Sequence, residues 1–289
     1  MSQGAPPTAI DIAIVNWNTS EAALAAASAY LASEGVTARV TIVDNDSTAE
    51  QRRVLEEGCP QGVKLDLGGE NLGYGTAANR VLRGGDGDLV CVSNADVLAD
   101  SGALAALADT ALADPRAGMV GPVFGGDTDR YHAKLPGPAT MVARIFVGSF
   151  NTRAVASPSR GEAAEVGQPS GACFVVRRET WERLRGFDEG FFLWYEDVDL
   201  AKRLHDAGYR NLVSGSARVG HAGAKSFSQV NERRQQTIRL NSVDRYIRKH
   251  HRGIAPVAAP LLRIAARLRA DGTAASSPPQ SEQGSRGPE

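Results

Sequence analysis

The chain has 289 residues, with 32 Lys and Arg against 33 Asp and Glu, a net charge of −1, 42% hydrophobic residues and 22% charged. These are ordinary proportions for a globular protein with room for a large core. They exclude collagen, wholesale disorder, a polytopic membrane protein and a protein that coats nucleic acid through bulk charge, so no nucleic-acid partner is expected.

In chain order, apolar β-branched runs at 10–15, 40–43, 63–67, 89–92 and 119–123 alternate with Ala-, Leu- and Glu-rich stretches at 21–33, 49–57, 76–82 and 103–113. That alternation predicts an α/β fold built of βαβ units around a mainly parallel sheet. Ser47 or Thr48 is placed to cap the second helix, and Asp100 or Ser101 the fourth. From 125 to 170 the rhythm gives way to Gly, Pro, Ser and Arg, the composition of a functional lid. A strand at 172–176 follows. It arrives from a lid and not from a crossover helix, so it is expected to add an antiparallel member. Then come a short helix at 179–184, an amphipathic helix at 197–207 ended by Gly208, a strand at 210–219, a basic helix at 231–250 and a weaker helix at 257–268. The tail 271–289 reads as disordered by composition.

Charge is unevenly placed. Residues 231–270 carry ten Lys and Arg against Glu232 and Asp244, so a basic C-terminal segment follows an acidic body. Three readings stay open for the amphipathic part, 253–270: packing on the protein's own acidic body, a second copy of the chain, or an anionic membrane surface. Cys59, Cys91 and Cys173 are odd in number and lack paired spacing, which points away from a disulfide framework. The first ten residues lack a basic n-region and an apolar h-region, and no apolar run reaches 18 residues. The expected location is cytoplasmic, with peripheral contact at the inner membrane face as the variant.

In an open α/β sheet, ligands bind beyond the carboxyl ends of the strands. There this sequence places Asn16-Trp17-Asn18, Asp44-Asn45-Asp46-Ser47, Gly68 to Gly75, and Ser93-Asn94-Ala95-Asp96. One such polar end is a loop; four on one sheet edge make a site. Gly73 to Ala78 also fits the dinucleotide fingerprint G-x-G-x-x-A, although it follows the third strand rather than the first. The densest cluster is Gly186 to Leu200, five acids interleaved with five aromatics around the pair Glu196-Asp197. One acid at a helix start is explained by capping or by the helix dipole. A Glu-Asp pair beside Phe-Phe-Leu-Trp-Tyr is not, and apolar surroundings raise a carboxylate towards a general base's working range. His221 follows the last strand and, with Asp96, offers the imidazole and carboxylate donors that Mn²⁺ and Mg²⁺ accept.

With these residues in view, the sequence resembles the inverting family 2 glycosyltransferases of GT-A fold, in particular the rhamnosyltransferase-like branch. The likeness runs from about Ile10 to Phe227 and is carried by Ile14 to Asn18, Asp44 to Ser47, Asn71 to Gly75 with Asn79, Asn94 to Val97, Gly171-Ala172, Gly186 to Glu189, Glu196 to Leu200, and His221. It implies a nucleotide-sugar donor, UDP- or dTDP-linked. Val15, Asn16, Asp44, Asn45, Ser47, Asn71, Gly73, Asn79, Asn94 and Asp96 would form the donor site, with Asp44 on the base or ribose. Asp197 would be the catalytic base, with Glu196 beside it. Trp194 and Glu196 would face the acceptor. Asp96 and His221 would hold Mn²⁺ or Mg²⁺. The domain reading is then one GT-A-like unit over 1–252, with a nucleotide-binding half (1–124), an acceptor and catalytic half (125–230) and a basic helix (231–252). The acceptor stays open among a glycan, a lipid-linked sugar and a small molecule. Asn94 stands where the family's metal motif has its first Asp. The processive signature Gln-x-x-Arg-Trp is missing, which implies transfer of one sugar. Two other functions compete: an NAD(P)-dependent oxidoreductase, resting on Gly73 to Ala78, and a catalytically silent nucleotide-sugar-binding protein, resting on Asn94.

Overall fold

The computed structural model describes residues 6–125, 132–141, 156–221, 232–262 and 264. Its first half is a run of βαβ units: β1 (Thr8–Asn16), α1 (Ser20–Leu31), β2 (Val36–Asp44), α2 (Ala49–Gly58), β3 (Lys64–Leu67), α3 (Tyr74–Leu82) and β4 (Leu89–Asn94). These strands pair in parallel in the order β3-β2-β1-β4. The chain lays β2 and β3 on one side of β1, then returns to set β4 on the other. That reversal opens a crevice at the carboxyl ends of β1 and β4, where Val15 pairs with Asn94 and Asn16 with Asp44. β1 is buried without a break from Ile12 to Asn16, as suits a strand covered on both faces.

Beyond β4 the sheet becomes mixed. β8 (Cys173–Arg177) runs antiparallel to both β4 and β6 (Ala117–Phe124), as expected of a strand entering from the lid. β9 (Arg210–His221) is parallel to β6, while β5 (Val97–Ala99) and β7 (Ala163–Glu165) run antiparallel to β9. Sequence periodicity did not disclose β5 and β7, because three residues are too few for a period-2 pattern.

Helices cover both faces. α1 and α4 (Ala103–Ala113) bury Ala23, Ala26, Ala27, Tyr30, Leu104 and Leu107 against one face. α3 and α6 (Glu196–Asp206) bury Ala77, Ala78, Leu82, Leu200, Ala201 and Leu204 against the other, where Trp181 of α5 (Arg178–Arg183) also packs. Thr48 caps α2, its hydroxyl accepting from the Gln51 N–H. The expected cap of α4 is different. Neither Asp100 nor Ser101 caps through its side chain; Gly102 precedes the helix, and the Asp100 carbonyl takes the Ala103 N–H at 2.9 Å. Gly208 follows α6 with φ +86°, the left-handed conformation that ends a helix at little cost for glycine.

A third core lies off the sheet. α7 (Glu232–His250) and a helical turn over 255–262 pack Leu240, Val243, Tyr246, Ile247, Ala258 and Leu262 onto Phe191, Tyr195, Val198 and Met141. The central part of the expected lid, 126–131 and 142–155, lies outside the described residues, as do the tail 271–289 and the end of the helix predicted at 257–268. No helix among the described residues is long and apolar enough to cross a membrane.

Candidate active site

The donor side is assembled from the ends of β1, β2 and the β3–α3 loop. Asn16 is completely buried and ties three turns together. Its amide N–H₂ donates to Asp44 Oδ1 at 3.1 Å and Ser47 Oγ at 3.3 Å, and its carbonyl accepts from the Thr19 N–H and hydroxyl. Ser47 Oγ also accepts the Asn18 N–H at 2.8 Å. Asn45 and Asn71 are joined side chain to side chain at 3.0 Å, and each then accepts a backbone N–H, from Leu72 and Gly73. The loop is therefore shaped by its own asparagines before any ligand arrives.

Asp44, which the resemblance places on the base or ribose, is held by the protein's own donors. Its carboxylate has no exposed surface. Oδ2 accepts from the Ser47 N–H at 3.1 Å and from Arg52 Nε at 3.0 Å, while the Arg52 guanidinium continues to Asp46 and the Gly68 carbonyl. Asp44 braces the turn and Arg52 covers it, so a ligand reaches the carboxylate only if Arg52 gives way. Asn79 likewise turns inward. Its amide donates to the Phe187 carbonyl at 2.9 Å and accepts the Phe187 N–H at 3.0 Å, stitching α3 to the 186–189 loop instead of presenting itself to a pocket.

The glycines of the apparent dinucleotide fingerprint are used up by the protein itself. A Cβ on Gly73 would collide with the Phe192 carbonyl, to which the Tyr74 N–H donates at 2.9 Å. A Cβ on Gly75 would meet Phe187. In a phosphate-binding turn those faces must be open to the ligand. The oxidoreductase reading fails on this packing.

The acidic pair starts α6. Trp194 and Tyr195, just before it, both adopt left-handed backbone, with φ of 63° and 68°. Two successive bulky residues in that region cost energy, and such strain collects where a side chain must be aimed. The result places Glu196, Asp197 and Asp199 in the first helical turn, where the helix dipole favours negative charge. Asp197 is half-buried and well supplied with donors. Its Oδ1 accepts from the Val198 N–H at 2.8 Å and its Oδ2 from Gln168 Nε2 at 2.6 Å. Desolvation still raises its pKa, against the pull of Val198, Gln168 and the Gly171 N–H. Gly171 must lack a side chain here, since a Cβ would stand 2.5 Å from Asp197 Oδ2. Glu196 is more deeply buried and its Oε2 has no hydrogen-bond partner. Burial, then the neighbouring Asp197 charge, drives its pKa well above the usual range. The two adjacent carboxyls thus differ in surroundings: Asp197 is supplied with donors, and burial pushes Glu196 further towards its neutral form.

Gln168 and Tyr74 were not singled out in the sequence. Gln168 is set by the two backbone hydrogen bonds that it exchanges with Ala133 at the base of the lid. The Tyr74 hydroxyl donates to the Gly171 carbonyl at 3.3 Å, and burial followed by the Glu196 charge raises its pKa. The adjoining Pro169-Ser170-Gly171 run was the available signal for Gln168.

Asn94 ends β4, its N–H bonded to the Ala172 carbonyl at 2.8 Å, and half-buried Asp96 lies in the turn to β5. β5 pairs with β9 so that Val97 opposes His221. Asp96 is thus one residue along the chain from the partner of His221; the His221 side chain lies outside the described ones. No cluster of three His, Cys, Asp or Glu side chains fit for a metal occurs among the described residues. Hard oxygen and imidazole donors in that number suit a divalent cation that takes its other ligands from water and a diphosphate. The residues fit the ion in that sense.

Comparison with known proteins bears on this arrangement. Residues 6–239 match the family described as "Glycosyltransferase like family 2". The chain is 36% identical over 207 residues to the N-acetylglucosaminyl-diphospho-decaprenol L-rhamnosyltransferase of Mycobacterium tuberculosis, covering 65% of this chain and 67% of that one. Among solved structures it is similar to a mannosyltransferase from Pyrobaculum calidifontis in complex with GDP-Man and Mn²⁺, with TM-score 0.57 and 20% identity over 96% of this chain and 78% of that one. It is also similar to TarS (residues 1–349) of S. aureus, with TM-score 0.52 and 14% identity over 91% of this chain and 82% of that one. The structural likenesses establish a GT-A-type fold. The family match extends over the β1–β4 crevice and the Glu196-Asp197 helix alike, so the chain belongs to the family 2 glycosyltransferases and is a glycosyltransferase.

Proposed function

We propose that this enzyme transfers one sugar, an L-rhamnosyl residue by analogy with the mycobacterial relative, from a UDP- or dTDP-linked donor to a hydroxyl of a sugar carried on a diphosphate lipid, with inversion. The observation that carries the reading is the unequal carboxyl pair at the start of α6. Asp197 combines a raised pKa with donors that fix its orientation, as a general base requires. Burial holds the Glu196 pKa well above the usual range, which disfavours a second negative charge beside Asp197.

The donor lies along the carboxyl ends of β1, β2 and β4, over Val15, Asn45, Ser47, Asn71, Gly73, Asn94 and Asp96, with the fully buried Asn16 bracing them. Asp44 and Asn79 support that surface from below, through Arg52 and the 186–189 loop. The acceptor enters on the Trp194 side. Asp197 takes the proton of the acceptor hydroxyl as its oxygen attacks the anomeric carbon. The bond to the diphosphate breaks on the opposite face, so a single displacement inverts the centre. Asp96 and His221 would hold Mn²⁺ or Mg²⁺, which when bound neutralises charge on the departing diphosphate as a Lewis acid.

The test is Asp197→Asn, which keeps shape and removes the proton acceptor. Turnover with the matching donor should fall by roughly 10²–10⁴, the span typical of general-base catalysis, while donor affinity measured by titration stays within about twofold. Full activity in this variant, with loss in Glu196→Gln instead, would hand the role to Glu196.

A further inference from the structure

The cations of α7 are nearly all committed to acids or to water. Arg245 pairs with Asp188 at 2.6 Å, Arg248 with Asp244 at 2.6 Å, and Lys249 with Asp188 at 2.6 Å and Asp199 at 2.7 Å. Arg234 and Arg252 are exposed. Arg239 is different. It is half-buried, and its guanidinium lies 4.5 Å from the centre of the Trp194 ring. Among the described residues no carboxylate lies within ion-pair distance of it. A ring face attracts the guanidinium face but offers its N–H edge nothing to donate to. Burial disfavours the charge further.

The placement is fixed by the same helix. Ser242, one turn along α7, donates to the Leu193 carbonyl at 2.7 Å, so α7 is fastened to the segment that leads into Glu196 and Asp197. Arg239 therefore stands on the acceptor side of the catalytic pair with its donors unused. A stacked guanidinium presents two parallel N–H groups, a geometry that matches two phosphate oxygens.

We propose that Arg239, oriented by Trp194, forms an acceptor-side anion subsite that takes a phosphate of the acceptor's diphosphate ester. The inference rests on the diphosphate-lipid acceptor proposed above and names the side chains that recognise it. The same chemistry could come from the donor's diphosphate, so the experiment separates the two.

The full-length chain is assayed with two acceptors that share N-acetylglucosamine, one linked to farnesyl diphosphate and one joined to the same alkyl chain without phosphate. In Arg239→Gln the preference for the diphosphate acceptor should fall about 10- to 100-fold, the scale of a charge-assisted contact, and through KM rather than kcat. Arg239→Lys should recover part of that preference. Equal losses on both acceptors would mean that Arg239 only packs α7, and would overturn the proposal. So would an unchanged preference, or weakened binding of UDP and dTDP in Arg239→Gln, which would assign the guanidinium to the donor. Farnesyl diphosphate alone provides a readout independent of transfer: it should quench tryptophan fluorescence in the wild type, and the quench should vanish in Trp194→Phe and in Arg239→Gln. Were the wild type inactive on both acceptors, the acceptor reading would fail, and this titration alone would decide the subsite. Identical titration curves for wild type and Arg239→Gln would reject it.

Discussion

At the scale of single residues, the two neighbouring carboxyls make opposite predictions. Asp197 must be ionised to accept a proton, and burial raises its pKa. The acid limb of kcat should therefore lie above the ordinary aspartate value of about 3.9. A pH–rate profile with its limb at or below that value contradicts the assignment. Glu196 bears on stability instead. Its folded pKa is raised, so the folded state binds a proton that the unfolded chain has released. Its contribution to stability is whole below the ordinary glutamate value of about 4.3 and is lost as pH rises towards the folded value. Glu196→Gln cannot titrate, so it should gain stability relative to wild type as pH rises above about 4.3. Denaturant melts of both proteins at pH 4 and pH 8 test this; a difference that does not change with pH refutes it.

At the scale of elements, α6 and α7 form one unit. Asp199 is completely buried in α6, where it accepts from Arg203 Nε at 2.7 Å and meets Lys249 and His250 of α7, each at 2.7 Å. Its pKa stays below the usual carboxylate range; the desolvation that would raise it is outweighed by His250, Arg203 and Lys249. Lys249 and Arg245 also reach Asp188 in the loop that Asn79 holds to α3. The basic helix is thus the fastening of the catalytic helix. Asp199→Ala removes the buried acceptor that Arg203, Lys249 and His250 share and should destabilise the fold by about 3–5 kcal/mol, measured by urea melts. A loss below about 1 kcal/mol would show that the network is surface decoration.

At the scale of the whole molecule, α7 commits Arg245 and Lys249 of the basic segment to Asp188 and Asp199 of the body. What remains lies further on. Val257 is 63% exposed and Ile264 52% exposed. An open hollow of about 430 Å³ is lined by Arg248, Arg252, Ala255, Pro256, Ala259 and Pro260. This end is the face expected to meet an anionic membrane, as suits a lipid-linked acceptor. Binding to anionic vesicles should be present at low salt, weaken at high salt, and fall in Val257→Asp, whose exposed site leaves the third core intact. If Val257→Asp sediments with vesicles as the wild type does, the membrane contact lies elsewhere or does not exist.

Local pattern was enough for most of the architecture. The runs at 10–15, 40–43 and 89–92 became the parallel strands β1, β2 and β4, because buried strands and covering helices leave their periods in the sequence. The Glu-Asp pair at the start of α6 was legible because acids at a helix start beside five aromatics have few structural explanations. Three things depended on tertiary contacts. The glycines at 73 and 75 look like a phosphate turn, and only the approach of Phe192 and Phe187 shows what fills that space. Asp44 reads as an open strand-end carboxylate, and only the folded chain shows Arg52, eight residues on in another element, donating to it. The net positive charge of 231–270 suggests an exposed surface, yet Asp188 and Asp199, far off in sequence, draw Arg245 and Lys249 onto the body. Which atoms face a ligand and which face each other follows from long-range packing, and short-range spacing carries no record of it.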